Sequence, residues 1–254
     1  MEATYDQIIS RIKDVNALDA RELLLWLAFA ETPIHIEGLA KIVEFEVEDQ
    51  AFNPDAKLDN PEDVLEICLS LVTKMMDDTV QLAHASIKKY ILNKQRKIGP
   101  HVELDPNVGH SFVGQCCLAY MLHTNEIYFH YEDVPDTFKQ SLLQYSAWFW
   151  SKHIQACNEE LSVMDQIKKL FQSGNLAKWS SAYNHHCHML NWDSCVTPML
   201  YPNYLQMAAL HGLIETVKWI VLQPVTEVEC MEALEAAAYN GHGDIVTLYL
   251  SKEI

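Results

Sequence analysis

The sequence predicts a mainly α-helical protein with one small β-hairpin in its N-terminal half. In most of the 254 residues, apolar side chains recur three and four positions apart, which is the spacing of one helix face. Apolar and polar residues alternate in a short stretch around Val80. Near the C-terminus a helical pattern occurs twice, with 29 residues between Gly212 and Gly241. A content of 49% hydrophobic residues is enough for a sizeable buried core.

The segment from Asn60 to Leu92 predicts a helix, a hairpin and a second helix. Asn60 is a suitable N-cap for the first helix, and Pro61 suits its first position. The apolar residues of this helix share one face: Val64, Ile67, Cys68 and Leu71. Two strands follow, Leu71 to Met76 and Thr79 to His84, on either side of an Asp77-Asp78 turn.

The second helix of this segment begins near Ser86 and has two unlike faces. Its apolar side carries Ile87, Tyr90 and Ile91. Its basic side carries Lys88, Lys89, Lys94, Arg96 and Lys97. A basic face of this kind is typical either of a solvated domain surface or of a surface that binds nucleic acid.

Further elements precede this segment. The predicted helices are Tyr5 to Val15, a second one capped by Asp19 and ended by Thr32-Pro33, and Glu37 to Phe45; Ile34 to Ile36 is an edge strand, and Glu46 to Leu58 is an acidic loop. Helices, a hairpin and a closing helix in this order form a winged-helix module, which we place at residues 1–98.

A helical middle domain is predicted for residues 99–200, after the break at Gly99-Pro100. Its helices are Val108 to His123, Gln140 to His153 and Val163 to Trp179. The aromatic cluster Trp148-Phe149-Trp150 lies at helical spacing with Tyr145. This spacing favours core packing over a ligand platform.

Residues 201–254 contain two copies of one helical pattern. The matching residues are Leu205, Ala208, Ala209, Gly212, Glu215 and Val217 in the first copy, and Leu234, Ala237, Ala238, Gly241, Asp244 and Val246 in the second. Alanines let two helices approach closely, and the glycine supplies a left-handed turn between them. These are ankyrin-like repeats with a shortened period. We predict packing roles for Leu205, Trp219, Leu234 and Tyr249, and an outer face closed by Ile220, Val221 and Leu250.

Several of these stretches resemble fungal NOD-like receptors that combine a nucleotide-binding NACHT module with ankyrin repeats. The stretch from Val80 to Leu92 is similar to their winged helix, Leu23 to Ile34 is similar to its entry, and Tyr145 to His153 is similar to the helix that follows. The resemblance implies a regulatory region that lies after the NACHT module, in a switch for non-self recognition or programmed cell death. It also implies that a winged-helix histidine contacts the β-phosphate of bound ADP.

His84 is the residue that matches this implied nucleotide-sensing position, provided that a NACHT module is joined in cis or in trans. Taken alone, a histidine between two alanines is more often a structural residue. The ankyrin-like repeats imply a protein partner. We expect it to meet Gln206 and Glu235 on the inner helices, and Glu227 and Glu229 on a connecting hairpin.

Charge and cysteine content narrow the functional class. Eighteen basic and 35 acidic residues give a formal net charge of −17, which disfavours nucleic acid and anionic membranes as partners. The seven scattered cysteines favour reduced thiols and a cytoplasmic location. The N-terminus has no signal-peptide pattern, and the longest apolar run, Leu23 to Ala30, is too short to span a bilayer.

The catalytic and metal-binding patterns in the sequence are weak, so we predict a non-catalytic protein without cofactor or metal. No glycine is followed by lysine, which excludes a phosphate-binding loop. Four adjacent side chains such as His185-His186-Cys187-His188, even with Cys195, diverge too much for one zinc ion. The stretch from Gly109 to Gly114 is one residue too long for a hydrolase nucleophile elbow. The alternative function is a winged-helix regulator that binds nucleic acid through Lys88 to Lys97.

Overall fold

The computed structural model describes residues 2–46, 49–92, 106–124, 142–172, 174–176, 179–180, 182–183 and 203–251. Helices dominate, and the strands form two small antiparallel sheets, so the predicted mainly α-helical class is confirmed. Within the described part of the chain, every helix is too short or too polar to cross a lipid bilayer.

The N-terminal region folds as a winged-helix domain. Its helices are α1 (Glu2–Ile9), α2 (Ala17–Phe29), α3 (Ile36–Ala40), α4 (Asp63–Cys68) and α5 (Ala85–Ile91). Its strands are β1 (Ile34–His35), β2 (Phe45–Glu46), β3 (Ala51–Phe52), β4 (Val72–Lys74) and β5 (Thr79–Leu82). The main sheet has the order β1-β5-β4, with β5 antiparallel to both neighbours. Leu23, Leu24 and Trp26 are fully buried, so α2 lies at the centre of the domain.

The predicted hairpin around the two aspartates is confirmed. Val72 pairs with Leu82 and Lys74 with Val80. The Asp78 amide donates to the Met75 carbonyl, and Asp78 has a left-handed φ of 60°. Aspartate tolerates this conformation better than most residues, which explains why it closes the turn.

The start of the domain differs from the prediction in two places. The first helix ends at Ile9 instead of Val15, because the next hydrogen bonds span three residues, as in the bond from the Ile12 amide to the Ile9 carbonyl. The second helix begins after Asn16, so Asp19 lies in its first turn and is not the N-cap. A carboxylate in the first turn is still favourable for the helix dipole.

The predicted third helix and acidic loop are also partly wrong. The helix from Glu37 to Phe45 is instead α3 followed by a short 3-10 helix, and Phe45 begins β2. The expected loop contains β3, which pairs with β2. Phe45 and Phe52 face each other across this pair, and the Phe45 ring also lies 5.9 Å from that of Phe112. Burial of these rings against a helix distant in sequence favours the extra strands.

Asn60 is not the N-cap of α4 as predicted, because α4 starts later than expected, after Glu62. The Asn60 side chain accepts a hydrogen bond from the Glu62 amide, and Asp63 accepts one from the Asn60 amide. The residues between them form a turn with three-residue spacing, so Pro61 precedes the helix instead of opening it.

Among its described residues, the middle region has α6 (Pro106–His123), α7 (Leu142–Cys157) and α8 (Met164–Leu170), and residues 174–176, 179–180 and 182–183 are also helical. α6 and α7 pack along each other and onto the winged-helix domain. The third helix was predicted to reach Trp179 but ends at Leu170, where Asn175 donates its side-chain amide to the Lys169 carbonyl. α7 extends past the predicted end at His153 to Cys157, while its predicted start at Gln140 lies outside the described residues.

The C-terminal region consists of two helix pairs: α9 (Tyr204–Leu210) with α10 (Ile214–Ile220), and α11 (Glu227–Tyr239) with α12 (Gly243–Leu250). The predicted left-handed turns occur at Gly212, with φ of 66°, and at Gly241, with φ of 78°. Leu205 is buried as predicted.

Trp219 and Tyr249 are half-buried and pack against the core as predicted, and Leu234 is also half-buried. Two other predictions for these helix pairs are wrong. Leu250 is 73% exposed, so it does not close an outer face. The expected connecting hairpin at 227–229 is the first turn of α11, because Thr226 and Glu229 form a capping box there.

Candidate functional site

His84 lies at the junction between the hairpin and the closing helix of the winged-helix domain. Strand β5 ends at Leu82, so His84 is the N-cap of α5 and not a strand residue as predicted. Its Nδ1 accepts a hydrogen bond from the Ser86 amide at 3.1 Å and lies 2.6 Å from the Ser86 hydroxyl. The residue is exposed to solvent.

This cap determines which ring nitrogen carries the proton. A nitrogen that accepts from a backbone amide must present its lone pair, so the neutral His84 ring is protonated on Nε2. Nδ1 is occupied by the helix N-terminus, which leaves the Nε2–H group as the donor that an external ligand can use. The geometry is therefore that of a fixed hydrogen-bond donor on an exposed surface.

Helix α1 supports this cap from behind. The Tyr5 and Ser86 hydroxyls lie 2.6 Å apart, and Tyr90 donates to the Asp6 carboxylate at 2.6 Å. The Tyr5 and Tyr90 rings also meet edge to face, with centroids 5.2 Å apart. Contacts from α1 thus hold α5 in its first turn at Ser86 and in its last turn at Tyr90, and the His84 ring is anchored through Ser86.

The helix before the hairpin is acidic. α4 follows Glu62 and includes Asp63 and Glu66, and no basic residue lies on it. Lys74, on the neighbouring strand, pairs with Glu62 at 2.5 Å and with Asp78 at 3.0 Å. A groove-reading helix needs cationic or amide side chains, which α4 lacks.

The basic face of α5 is described only in part. Lys88 lies 5.9 Å from the centre of the Phe29 ring, which is a cation–π contact with α2. Lys89 is exposed. Lys94, Arg96 and Lys97 lie outside the described residues, so the nucleic-acid hypothesis for this face stays a prediction.

A chain of polar groups joins the winged-helix domain to the middle helices. The Glu31 amide donates to the Tyr145 hydroxyl at 3.0 Å, and this hydroxyl lies 2.9 Å from His153 Nε2. His153 Nδ1 in turn lies 2.9 Å from His110 Nδ1. When the Tyr145 hydroxyl donates to His153 Nε2, the Nδ1–H group of His153 donates to His110 Nδ1. Every contact in the chain is then satisfied with both histidines neutral.

Burial keeps this chain uncharged. Desolvation lowers the pKa of His153 to about 3, with smaller contributions from His110 and Lys152. The pKa of His110 is also lowered, mainly by burial. At the rim, Lys152 and Glu31 form an ion pair at 2.6 Å. None of these contacts was predicted, because their residues are far apart in the sequence.

A second junction joins α7 to the first helix pair. Ser151 lies 2.9 Å from Nδ1 of the buried His211, whose pKa burial lowers to about 3. The Gln155 amide donates to the His211 carbonyl. Glu160 caps α10 from outside, accepting from the Thr216 amide at 2.6 Å and its hydroxyl at 2.7 Å. Sequence spacing gave no indication of this cap.

The aromatic cluster of α7 is divided between these junctions. Trp150 is fully buried and its ring lies 5.4 Å from that of Trp179. Phe149 is half-buried and contacts the Tyr145 ring. Trp148 stacks on Tyr183 with centroids 4.7 Å apart. These contacts match the predicted packing role.

The four predicted partner-binding residues are not equivalent. Glu227 and Glu235 are exposed, whereas Gln206 is half-buried. The Glu229 carboxylate accepts from the Thr226 amide and hydroxyl in the capping box, which lowers its pKa. Glu227 and Glu235 are therefore the better-placed carboxylates for an external contact.

The structure describes the stretch resembling a hydrolase elbow but not the zinc candidates. Gly109 to Gly114 lie within α6, as predicted, and Gly109 is pressed so closely against the Phe29 ring that a β-carbon would overlap it. The described residues include no group of three or more potential metal ligands. The zinc candidates at 185–188 and Cys195 lie outside them.

Residues 7–100 match a family model described as GPI inositol-deacylase, winged helix domain. The match covers the region in which the structure has the winged-helix arrangement, and it spans less than half of the chain. No curated protein and no solved structure matches this chain.

Proposed function

We propose that this chain is the non-catalytic regulatory and protein-interaction region of a NOD-like receptor-type signalling protein of the fungal kind. In this proposal the winged-helix domain contacts a NACHT nucleotide-binding module, joined in cis or in trans. The C-terminal helix pairs are ankyrin-like repeats that meet a protein partner. The role belongs to the cytoplasm, and it requires neither a membrane, nucleic acid, a cofactor nor a metal bound to this chain.

The observation that carries the proposal is the cap formed by His84. Its Nδ1 is held by the Ser86 amide, so the exposed Nε2–H is oriented before any ligand arrives. A phosphate oxygen is a suitable acceptor for such a donor. His84 can therefore donate a hydrogen bond to a phosphate oxygen of ADP bound to the module, and the module without nucleotide lacks this acceptor.

The charge of the domain favours a protein contact over nucleic acid. The acidic residues around α4 repel a phosphate backbone, and Lys74 is engaged by two carboxylates. The alternative of a nucleic-acid-binding regulator depends on the basic face of α5. It predicts salt-dependent duplex binding that is lost when Lys88, Lys89 and Lys97 are replaced by glutamate.

The experiment measures binding of the full chain to an isolated fungal NACHT module by calorimetry, with and without ADP. The decisive variant is His84→Asn, because an asparagine side chain can still cap α5 but removes the Nε2–H donor. His35→Asn is the matched control, since His35 caps α3 through Nδ1 in the same way.

We expect ADP-dependent binding that weakens about tenfold in His84→Asn, which corresponds to about 1.4 kcal/mol, and is retained in His35→Asn. Equal binding of His84→Asn and the wild type would exclude the nucleotide-sensing role. Absence of binding to the module in either nucleotide state would exclude the proposed function itself.

A further inference from the structure

The last helix pair has an exposed stripe on α11. On α11, Val228 and Met231 are each 61% exposed, and Glu235 and Ala238 are also exposed. These positions are spaced by three, four and three residues, so they lie within about 100° of one helix face. The opposite face carries the buried Ala233, Ala236 and Ala237.

The internal repeat shows what such a stripe accommodates. α11 packs against α9, and the two pairs are joined by the Asn203 amide donating to Glu232 at 3.3 Å and by His242 Nε2 lying 2.9 Å from the Leu210 carbonyl. In α9, Ala209 is fully buried and Leu210 is 7% exposed.

The matching positions in α11 differ in burial but not in type. At the same 29-residue offset, Ala209 corresponds to Ala238, and Leu210 corresponds to Tyr239, which is 63% exposed. Two positions that are buried on α9, which packs against α11, are therefore exposed on α11. The exposed face of α11 is suited to one more helix packed side by side with it.

Charge restricts the kind of helix that fits. Glu227 and Glu235 are exposed beside the apolar positions, and Glu232 is half-buried. No lysine or arginine occurs between residues 221 and 251. A second copy of this acidic surface would repel the first, whereas a helix with basic flanks is attracted to it.

We infer that the exposed stripe of α11, formed by Val228, Met231, Glu235 and Ala238, binds a basic amphipathic helix of a partner protein. The helix presents small and apolar residues to the stripe, and its lysine or arginine side chains reach the carboxylates at the rim. This inference rests on the proposed protein-interaction role of the helix pairs and specifies the chemistry of the partner.

The test uses the full chain and three fluorescent synthetic helices, each as long as α11. The first has a leucine–alanine stripe flanked by lysines. The second has glutamate in place of every lysine, and the third keeps the composition of the first but breaks the stripe. Anisotropy is measured at ionic strengths of about 0.01 M and about 0.15 M, between which the Debye length falls from about 30 Å to about 8 Å.

Two substitutions test the location, each with a matched control. Met231→Ser removes an exposed apolar side chain, and Leu18→Ser removes one of similar exposure, 60%, from the winged-helix domain. Glu235→Lys reverses an exposed charge on the stripe, and Glu66→Lys reverses one on α4. All four positions are exposed, so the variants are expected to fold.

We expect the lysine-flanked helix to bind, and Met231→Ser and Glu235→Lys each to weaken it about tenfold, with less binding at the higher salt. The two control variants should bind like the wild type. Equal binding of the glutamate helix, equal binding of the broken stripe, unchanged binding in the α11 variants, or no binding at all would each overturn the inference.

The two proposals fail separately. If the lysine-flanked helix fails while His84 still governs ADP-dependent binding of the NACHT module, only the inference about α11 is wrong. If the helix binds to the stripe but no NACHT module is recognised, the receptor role is wrong and the docking surface remains.

Discussion

Replacing Glu22 by glutamine should make the protein more stable at neutral pH and should have little effect in acid. Glu22 lies on α2 and is only 5% exposed. Burial raises its pKa from 4.5 to about 7, although the Coulombic attraction of Arg21 opposes the shift. Each pKa unit corresponds to about 1.4 kcal/mol, so ionising the buried carboxyl costs the folded state about 3 kcal/mol.

The sign of the pH dependence follows from where the proton is held. Below pH 4.5 Glu22 is protonated in both states and contributes nothing. As the pH rises from 4.5 to about 7, the unfolded chain releases the proton while the folded chain keeps it, so this group lowers the stability. Above about 7 the loss is complete.

The assay is urea unfolding of the wild type and Glu22→Gln across this pH range, followed by tryptophan fluorescence. The difference in unfolding free energy isolates Glu22, because the other titrating groups are shared. We expect the variant's advantage to grow to about 3 kcal/mol at the alkaline end. The exposed Glu66→Gln is the control. A difference that does not change with pH, or a variant that is less stable above pH 7, would refute the reasoning.

Four further substitutions test the junctions and turns by urea unfolding. Tyr145→Phe should cost about 1–3 kcal/mol, because the Glu31 amide and His153 lose their shared partner; a neutral effect would contradict the polar chain. Glu160→Ala should cost about 1 kcal/mol by uncapping α10, and an equal loss in Glu66→Ala, at an exposed position on α4, would show that the cap is unimportant. Gly241→Ala should cost about 1–2 kcal/mol for its left-handed backbone, and Gly212→Ala more, because its β-carbon also meets Gln155 and His242; the reverse order would contradict the packing.

The elements that sequence predicts well are those whose cause is local. Alternating residues on both sides of an aspartate pair specify the wing hairpin, because the turn and the register are both encoded within a few residues. Gly212 and Gly241 mark left-handed turns for the same reason, since few other residues adopt that backbone.

The missed elements have causes that are distant in sequence. Strands β2 and β3 are two residues each, too short for any alternation, and they form where Phe45 and Phe52 pack near Phe112. The exposure of Leu250 on the second helix pair also depends on elements that are distant in sequence. The apolar spacing predicts that Leu250 lies on a helix, but it does not predict whether another element covers the Leu250 side chain.

The candidate site was only half predictable. A resemblance singled out His84, but its capping role and its proton position depend on where β5 ends and α5 begins. Boundaries of this kind shift by one or two residues with tertiary context. The link from Tyr145 to His110 needs α6 and α7 in contact, which no local pattern contains.

Helix α7 connects the two ends of the molecule through opposite faces. Tyr145 contacts Glu31 beside the winged-helix domain and His153 contacts His110 on α6, while Ser151 and Gln155, about half a turn away, face His211 in the first helix pair. Burial lowers the pKa of both His153 and His211 to about 3, so neither junction changes its charge near neutral pH. Under the proposed function, we expect a displacement of the winged-helix domain by a nucleotide-binding module to reach the helix pairs as a movement of α7, and a variant that weakens either junction to uncouple the two without altering either binding surface.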